Sequence, residues 1–276
     1  MEAGRGALKP QTDSSSRMGG NGERMAQTTA HRQIVVAKNY DELCAGVVQK
    51  ILGLSLEAIK ERGRCTMALS GGSTPRGVYS LMADSIYADK FDWNNILFFL
   101  GDERWVPLND SRSNYRMIAE ALGANVKIPH SHLYHVKTDT ANVQTSAELY
   151  EQQLISSFGL KPDELPRFDI ALLGLGEDGH TASLFPGNSA VDETKRLVVP
   201  VEAEGIAEKR VTLTLPVINN SRNILFLVSG SGKASTLKKI LEDHEQLPAG
   251  KVNPRQGALL WYADESAAGL LHSHSA

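Results

Sequence analysis

From Ile34 onward, short and nearly unbroken apolar runs alternate with longer segments whose apolar residues recur at helical spacing. Apolar runs of this length suit buried strands, and the longer segments suit helices that connect parallel strands. The continuous apolarity of the central runs indicates a sheet covered on both faces. The pattern therefore predicts an α/β fold with a mainly parallel sheet and helices on both faces, in a single domain.

The two patterns also predict where the elements lie. Strands are expected at residues 34–37, 66–69, 96–100, 169–173, 197–201, 211–215, 224–228 and 259–262. Helices are expected at residues 41–62, 75–83, 114–122, 141–158 and 233–241.

Residues 1–30 differ from the rest of the chain, since they are rich in small and polar residues and poor in large apolar ones. Such a segment cannot offset its ordering entropy by burial, so we expect a disordered extension before a folded domain at residues 31–276. A transit peptide is the less favoured interpretation, because Glu2, Asp13 and Glu23 interrupt the basic character of such peptides.

Charge and cysteine content narrow the function classes. The formal net charge of −3 creates no strong field toward nucleic acid or anionic membranes, so neither is an expected partner. Two cysteines, Cys44 and Cys65, are too few for a disulfide framework and suit a reducing compartment. No apolar run approaches the ~20 residues that span a bilayer. We expect a cytoplasmic monomer or small homo-oligomer, with organelle import as the alternative location.

Four polar, glycine-bearing segments directly follow predicted strands: residues 70–75, 101–105, 174–180 and 229–233. In an open parallel sheet, ligands bind outside the carboxyl ends of the strands. We therefore expect these four segments to meet in one crevice.

The first of these segments, residues 70–75, has the features of a phosphate cradle. Gly71 and Gly72 allow close approach of the backbone, and free N–H groups at a helix start favour an anion. Pro75 suits the first helical position, which makes Thr74 the predicted N-cap. The alternative is a capped turn without a ligand. ATP is not implied, because no Gly-Lys-Ser/Thr follows.

Candidate catalytic residues lie in two other segments. His180 can exchange a proton near neutral pH, and Asp178 could orient its ring, although a structural histidine is the alternative. Asp102, Glu103 and Arg104 offer two carboxylates and a cation after a central strand, or else a local ion pair.

Two basic residues are further candidates for binding phosphate. Lys233 opens a predicted helix and Arg210 precedes a predicted strand, but each could equally be a solvated surface cation. His130, His132 and His135 resemble a metal cluster only by count, because no cysteine or clear carboxylate partner accompanies them. We assign no metal.

Three motifs stand out: residues 70–75 (SGGSTP), residues 101–107 (GDERWVP) followed by 113–115 (SNY), and residues 174–186 (GLGEDGHTASLFP). Together they resemble the family of 6-phosphogluconolactonases and glucosamine-6-phosphate isomerases. The resemblance runs from the first predicted strand to Trp261 and implies a Rossmann-like fold. It also implies hydrolysis of 6-phospho-D-glucono-1,5-lactone to 6-phosphogluconate, the second step of the oxidative pentose phosphate pathway.

By the same resemblance, His180 would be the general base, and phosphate would be bound by the turn (Gly72, Ser73, Thr74) together with Arg210 and Lys233. A lactone needs no metal or organic cofactor for this reaction. Two alternatives stay open. One is a glucosamine-6-phosphate deaminase, which releases ammonia; the other is a non-catalytic sugar-phosphate sensor, for which residues before Ile34 provide no DNA-binding pattern.

Overall fold

The computed structural model of the chain describes residues 31–123 and 126–272. The predicted disordered extension, residues 1–30, lies outside the described residues. Seven strands form one sheet, in which every hydrogen-bonded pair of neighbours is parallel. Their spatial order is β1 (His31–Ala37), β10 (Ala258–Asp264), β9 (Asn223–Val228), β6 (Ile170–Gly174), β2 (Cys65–Leu69), β3 (Ile96–Leu100) and β5 (Leu133–Tyr134).

The remaining three described strands form a small antiparallel sheet. Its order is β4 (Asp102–Arg104), β8 (Arg210–Leu213) and β7 (Val198–Val201). The predicted strand at residues 211–215 was wrong at its end, because helix α5 (Leu215–Asn219) begins there with Pro216 in its first turn. Proline suits that position, since its missing N–H has no partner within a helix anyway.

Six other α-helices lie in the described residues: α1 (Tyr40–Arg62), α2 (Ser73–Met82), α3 (Asn114–Gly123), α4 (Val143–Phe158), α6 (Ala234–Leu241) and α7 (Glu265–Ala268). Helix α1 shows why its ends lie where they do. The Asn39 side chain accepts a hydrogen bond from the N–H of Glu42, and Gly63 ends the helix in the left-handed conformation, with φ of 75°.

The central strands are buried along nearly their whole length, and every residue of β2 is buried. Both faces of the sheet are therefore covered, as the apolar runs predicted, and the α/β single-domain class is confirmed. Aromatic residues fill much of the interior: Phe226 and Trp261 stack with ring centroids 3.8 Å apart. Within residues 31–123 and 126–272, no helix is long and apolar enough to cross a membrane.

Candidate active site

The four segments that follow β2, β3, β6 and β9 meet at the carboxyl ends of the strands of the main sheet. They enclose a cavity of about 220 Å³. Nine of the predicted site residues line it: Gly71, Gly72, Ser73, Thr74, Asp102, Arg104, His180, Arg210 and Lys233. Asp178 is not among the lining residues, and it contacts His180 instead.

The turn between β2 and α2 differs from the predicted one. Helix α2 begins at Ser73 with Gly72 as its N-cap, so the prediction of Thr74 as the N-cap was wrong. The physical reason is that Gly72 adopts a φ of 108°, which side-chain-bearing residues rarely take, and this lets the helix start two residues earlier than expected. Ser73 and Thr74 therefore lie in the first turn, whose N–H groups have no partner within the helix. Such a turn favours an anion.

Asn114 holds the turn between β2 and α2 against the loop after β3. A Cβ atom at position 71 would lie 1.9 Å from Oδ1 of Asn114, so only glycine allows this approach. The Asn114 side chain also donates a hydrogen bond to the carbonyl oxygen of Asp102, at 2.9 Å. Asn114 lines the cavity. We did not predict it as a site residue; the sequence signal was the SNY motif that contains it.

Glu103 has a structural role and does not enter the cavity lining. Its fully buried carboxylate accepts hydrogen bonds from the backbone N–H groups of Arg104, Asn114 and Tyr115, at 2.7, 2.7 and 2.8 Å. Ser113 donates a fourth hydrogen bond through its hydroxyl. Burial raises the pKa of Glu103, and the three N–H donors oppose that rise. Glu103 thus fixes the start of α3 beside the cavity.

Asp102 faces the cavity from the same short strand. Its Oδ2 atom accepts a hydrogen bond from the hydroxyl of Ser183, at 2.7 Å, which ties the loop after β3 to the loop after β6. Within the described residues, Arg104 forms no ion pair with Asp102 or Glu103; its side chain donates to the carbonyl oxygen of Arg112 instead, at 2.6 Å, so the structure does not show the alternative of a local ion pair in this segment.

His180 and Asp178 form a close pair. The distance from His180 Nδ1 to Asp178 Oδ1 is 2.5 Å, and the same oxygen accepts a hydrogen bond from the backbone N–H of His180. An ionised carboxylate can only accept, so this contact places the ring proton on Nδ1 and leaves the lone pair on Nε2. The ring of Phe185 packs against the imidazole, with centroids 4.7 Å apart.

Backbone contacts shape the loop that carries this pair. The N–H of Gly176 donates to the carbonyl oxygen of His180, and the Thr181 hydroxyl donates to the carbonyl oxygen of Gly174, both at 2.9 Å. Gly179 takes a φ of 86°, and Ala182, which lines the cavity, takes a φ of 49°. A left-handed alanine costs of order 1–3 kcal/mol, and such strain is concentrated at functional sites.

Three cations line the cavity. Arg104 and Arg210 lie opposite each other in the antiparallel register of β4 and β8. The Arg210 side chain is only 14% exposed, so it is not a solvated surface arginine. Burial, followed by the neighbouring Arg104 charge, lowers the pKa of Arg210. Lys233 Nζ lies 3.8 Å from Oε1 of Glu177. The site therefore concentrates positive charge beside the turn between β2 and α2.

The histidines that resembled a metal cluster lie elsewhere. His130 and His132 are in a single turn of 3-10 helix, and the His135 ring packs on Tyr115, with centroids 4.6 Å apart. Across the part of the chain that the structure describes, no group of three or more His, Cys, Asp or Glu side chains could hold a metal ion.

Comparison with known proteins agrees with this fold. Residues 38–261 match the family described as glucosamine-6-phosphate isomerases/6-phosphogluconolactonase. The 6-phosphogluconolactonase of Synechocystis is 39% identical over 76% of this chain and 86% of its own length. A probable chloroplastic 6-phosphogluconolactonase 3 of Oryza sativa subsp. indica is 36% identical over 80% of this chain and 70% of its own.

Among solved structures, the 6-phosphogluconolactonase of Trypanosoma brucei superposes with a TM-score of 0.77 at 31% identity, over 88% of this chain and all of that one. The chain belongs to the glucosamine-6-phosphate isomerase/6-phosphogluconolactonase family.

Proposed function

We propose that the chain hydrolyses 6-phospho-D-glucono-1,5-lactone to 6-phospho-D-gluconate, the second step of the oxidative pentose phosphate pathway. One observation carries the proposal: His180, whose ring contacts Asp178, lines a single cavity of about 220 Å³ together with the turn at residues 70–75, called here the phosphate turn, and with Arg210 and Lys233. The relatives named above are lactonases with this substrate in their name, which supports the same choice.

The substrate's phosphate group is bound at the start of α2. First-turn N–H groups and the hydroxyls of Ser73 and Thr74 donate hydrogen bonds to it, and Gly71 and Gly72 allow the backbone to approach. The guanidinium group of Arg210 donates two hydrogen bonds to the phosphate, and the ammonium group of Lys233 attracts it as a single charge. Anchoring the phosphate holds the lactone carbonyl at a fixed distance from His180.

The chemistry begins at Nε2 of His180, which takes a proton from a water molecule. The resulting hydroxide attacks lactone C1 and forms a tetrahedral intermediate, whose negative oxygen is stabilised by Arg104. Asp178 stabilises the imidazolium formed in this step. When the intermediate collapses, the C1–ring oxygen bond breaks and the ring oxygen receives the proton from His180. Asp102 accepts hydrogen bonds from substrate hydroxyls at the same face of the cavity.

The test is the rate of hydrolysis of freshly generated 6-phosphogluconolactone, corrected for spontaneous hydrolysis, with and without a chelator. Wild-type protein should accelerate the reaction equally in both, and His180→Ala should lower kcat by roughly 10²–10⁴-fold. His130→Ala, which replaces an exposed histidine, is the matched control and should retain full activity. No acceleration by the wild type would refute the proposal, and release of ammonia from glucosamine 6-phosphate would support the deaminase alternative.

We further propose that the reaction takes place in the cytoplasm and that the protein is a monomer or small homo-oligomer without a bound cofactor. Organelle import is the alternative, since the rice relative is named as chloroplastic. A fluorescent fusion to the carboxyl end of the full chain would distinguish the two locations, and light scattering of the purified protein would give its mass.

A further inference from the structure

An arginine cluster lies at the amino ends of the central strands of the main sheet, opposite the carboxyl ends that form the cavity. Strands β9, β6 and β2 are consecutive neighbours in that sheet. Their carboxyl ends carry Lys233, His180 and the phosphate turn, whereas their amino ends are preceded by Arg222, Arg167 and Arg62. The three arginines surround one acidic residue, Asp169, which directly precedes β6.

Asp169 cannot neutralise all three guanidinium groups. It is 5% exposed, and its Oδ2 atom already accepts hydrogen bonds from the backbone N–H and the hydroxyl of Thr66, at 2.8 and 2.9 Å. Its Oδ1 atom accepts from Nε of Arg62 at 3.0 Å, and Nε of Arg222 lies farther away, at 3.4 Å. One carboxylate with its acceptor sites occupied therefore faces three positive charges.

The other contacts of the cluster leave positive charge in excess. Glu61 pairs with Arg62, and among the residues that the structure describes Arg167 donates only to the carbonyl oxygen of Gln256, at 2.7 Å. Within the described residues, the Nε atoms of Arg167 and Arg222 are buried without a hydrogen-bond partner. Burial and the two neighbouring guanidinium groups lower the pKa of Arg167. Like charges held together in this way are unfavourable unless an anion joins them.

The cluster is also accessible from solvent, because the side chains of Arg62 and Arg222 are 31% and 35% exposed. A guanidinium group presents a planar fork of N–H donors, which matches the oxygens of a phosphate group. We propose that Arg62, Arg167 and Arg222 form a second anion site, which binds a small phosphate-bearing anion at the amino edge of the sheet. The anion is either free inorganic phosphate or a phosphorylated metabolite.

The experiment separates this site from the cavity by using the double variant Arg210→Gln/Lys233→Gln as the background. Thermal unfolding is measured against increasing inorganic phosphate and, separately, 6-phosphogluconate, with chloride at matched ionic strength as the reference. A ligand that binds only the folded state raises its stability in proportion to ln(1 + [L]/Kd), so the shift in Tm reports the affinity. We expect both phosphate compounds to raise Tm above the chloride reference.

Adding Arg167→Gln to that background should weaken phosphate binding by about tenfold or more, as expected for the loss of charged hydrogen bonds. Arg64→Gln removes a cation at the same edge but outside the cluster and should leave the affinity unchanged. Arg167→Lys retains the charge and loses the fork, so it provides a second variant if the glutamine protein does not fold. In an otherwise wild-type chain kept in chloride, Arg167→Gln should retain full activity, because Arg167 lies outside the cavity lining.

Two results would overturn the proposal: no rise in Tm beyond chloride, or an equal rise with and without Arg167→Gln. Tighter binding of 6-phosphogluconate than of phosphate would identify a phosphorylated metabolite as the occupant, and equal affinities would identify free phosphate. Failure of the lactonase assay would not affect either conclusion about the second anion site, since no step of this experiment depends on turnover.

Discussion

A Cβ atom at position 176 would lie 2.1 Å from Nδ1 of His180. It would also lie 2.5 Å from the Asp178 oxygen that His180 contacts. Real Cβ atoms do not approach other atoms so closely, so any side chain at this position must displace the pair. Gly176 is therefore required by the geometry of its neighbours, and its φ lies outside the left-handed region that glycine usually serves.

Replacing Gly176 tests this requirement directly. We expect Gly176→Ala to lower kcat by one to two orders of magnitude, because a displacement of about 1 Å at a catalytic group can cost ~10²-fold. Phosphate affinity should change little, since the turn after β2 is untouched. Gly53→Ala is the control, because a Cβ atom there meets nothing within 4 Å. Unchanged kcat for Gly176→Ala would show that the loop adjusts without cost.

Asp178→Asn should show whether Asp178 acts through the His180 ring or binds the substrate itself. The amide is nearly isosteric with the carboxylate but lacks the charge that stabilises the imidazolium. We expect kcat to fall by about 10²-fold, within the range of general acid–base effects. KM should stay near the wild-type value, because Asp178 is absent from the cavity lining. Steady-state kinetics on the lactone would check this, and a rise in KM with unchanged kcat would contradict the assigned role.

Arg210→Gln should act mainly on substrate binding. Loss of charged hydrogen bonds worth roughly 1.5–3 kcal/mol corresponds to a rise in KM of tenfold or more, with a smaller change in kcat. Lys209→Gln is the matched control, because that neighbouring side chain is exposed and pairs with Glu202, at 2.7 Å. Equal KM values for the two variants would remove Arg210 from the phosphate site.

Glu103→Gln should destabilise the protein by roughly 1–3 kcal/mol, because the amide nitrogen cannot accept hydrogen bonds, whereas both oxygens of a carboxyl group can accept them in the neutral as well as the charged form. Burial raises the folded-state pKa of Glu103 above its ordinary value of 4.5. Its contribution to stability is therefore full below pH 4.5 and declines as the pH rises through the folded-state pKa. Urea unfolding should show the largest cost of the substitution at acid pH, and a cost that grows toward neutral pH would contradict this.

The two thiols should be inert in the folded protein. Cys44 and Cys65 are buried, and burial raises the pKa of both, so little reactive thiolate is present at pH 8. A colorimetric thiol reagent should find no fast-reacting group in the native protein and both cysteines after unfolding in guanidinium chloride. Rapid labelling of either residue in the native state would show local opening around it.

The location of the cavity was predictable because the carboxyl ends of parallel neighbours meet at one edge. The apolar run at 96–100 predicts β3 with its observed bounds, and the residues that follow it must then lie beside those that follow β2. That inference needs only strand direction, which the alternation with helices supplies. Candidate residues such as His180 and Arg104 were found in this way.

The contacts across the site were not predictable from local patterns. Asn114 acts through Gly71 and Asp102, and nothing in the spacing of these residues shows that they touch. Strands β7 and β8 have the same apolar character as the central strands, so the pattern could not assign them to a second sheet. The start of α2 was misplaced because Gly72 could adopt either sign of φ, and only the folded turn selects one.

The pairing of β1 with β10 has a consequence for synthesis. His31 is in register with Ala258, so within the described residues β1 pairs only with a strand that is made more than two hundred residues later. At about 5–20 residues per second, the nascent β1 waits on the order of ten seconds or more for its neighbour. During that time β1 is an unpaired strand on the ribosome, open to chaperones and to pairing with other chains. The edge that completes the native sheet last is thus the one most exposed to misassembly.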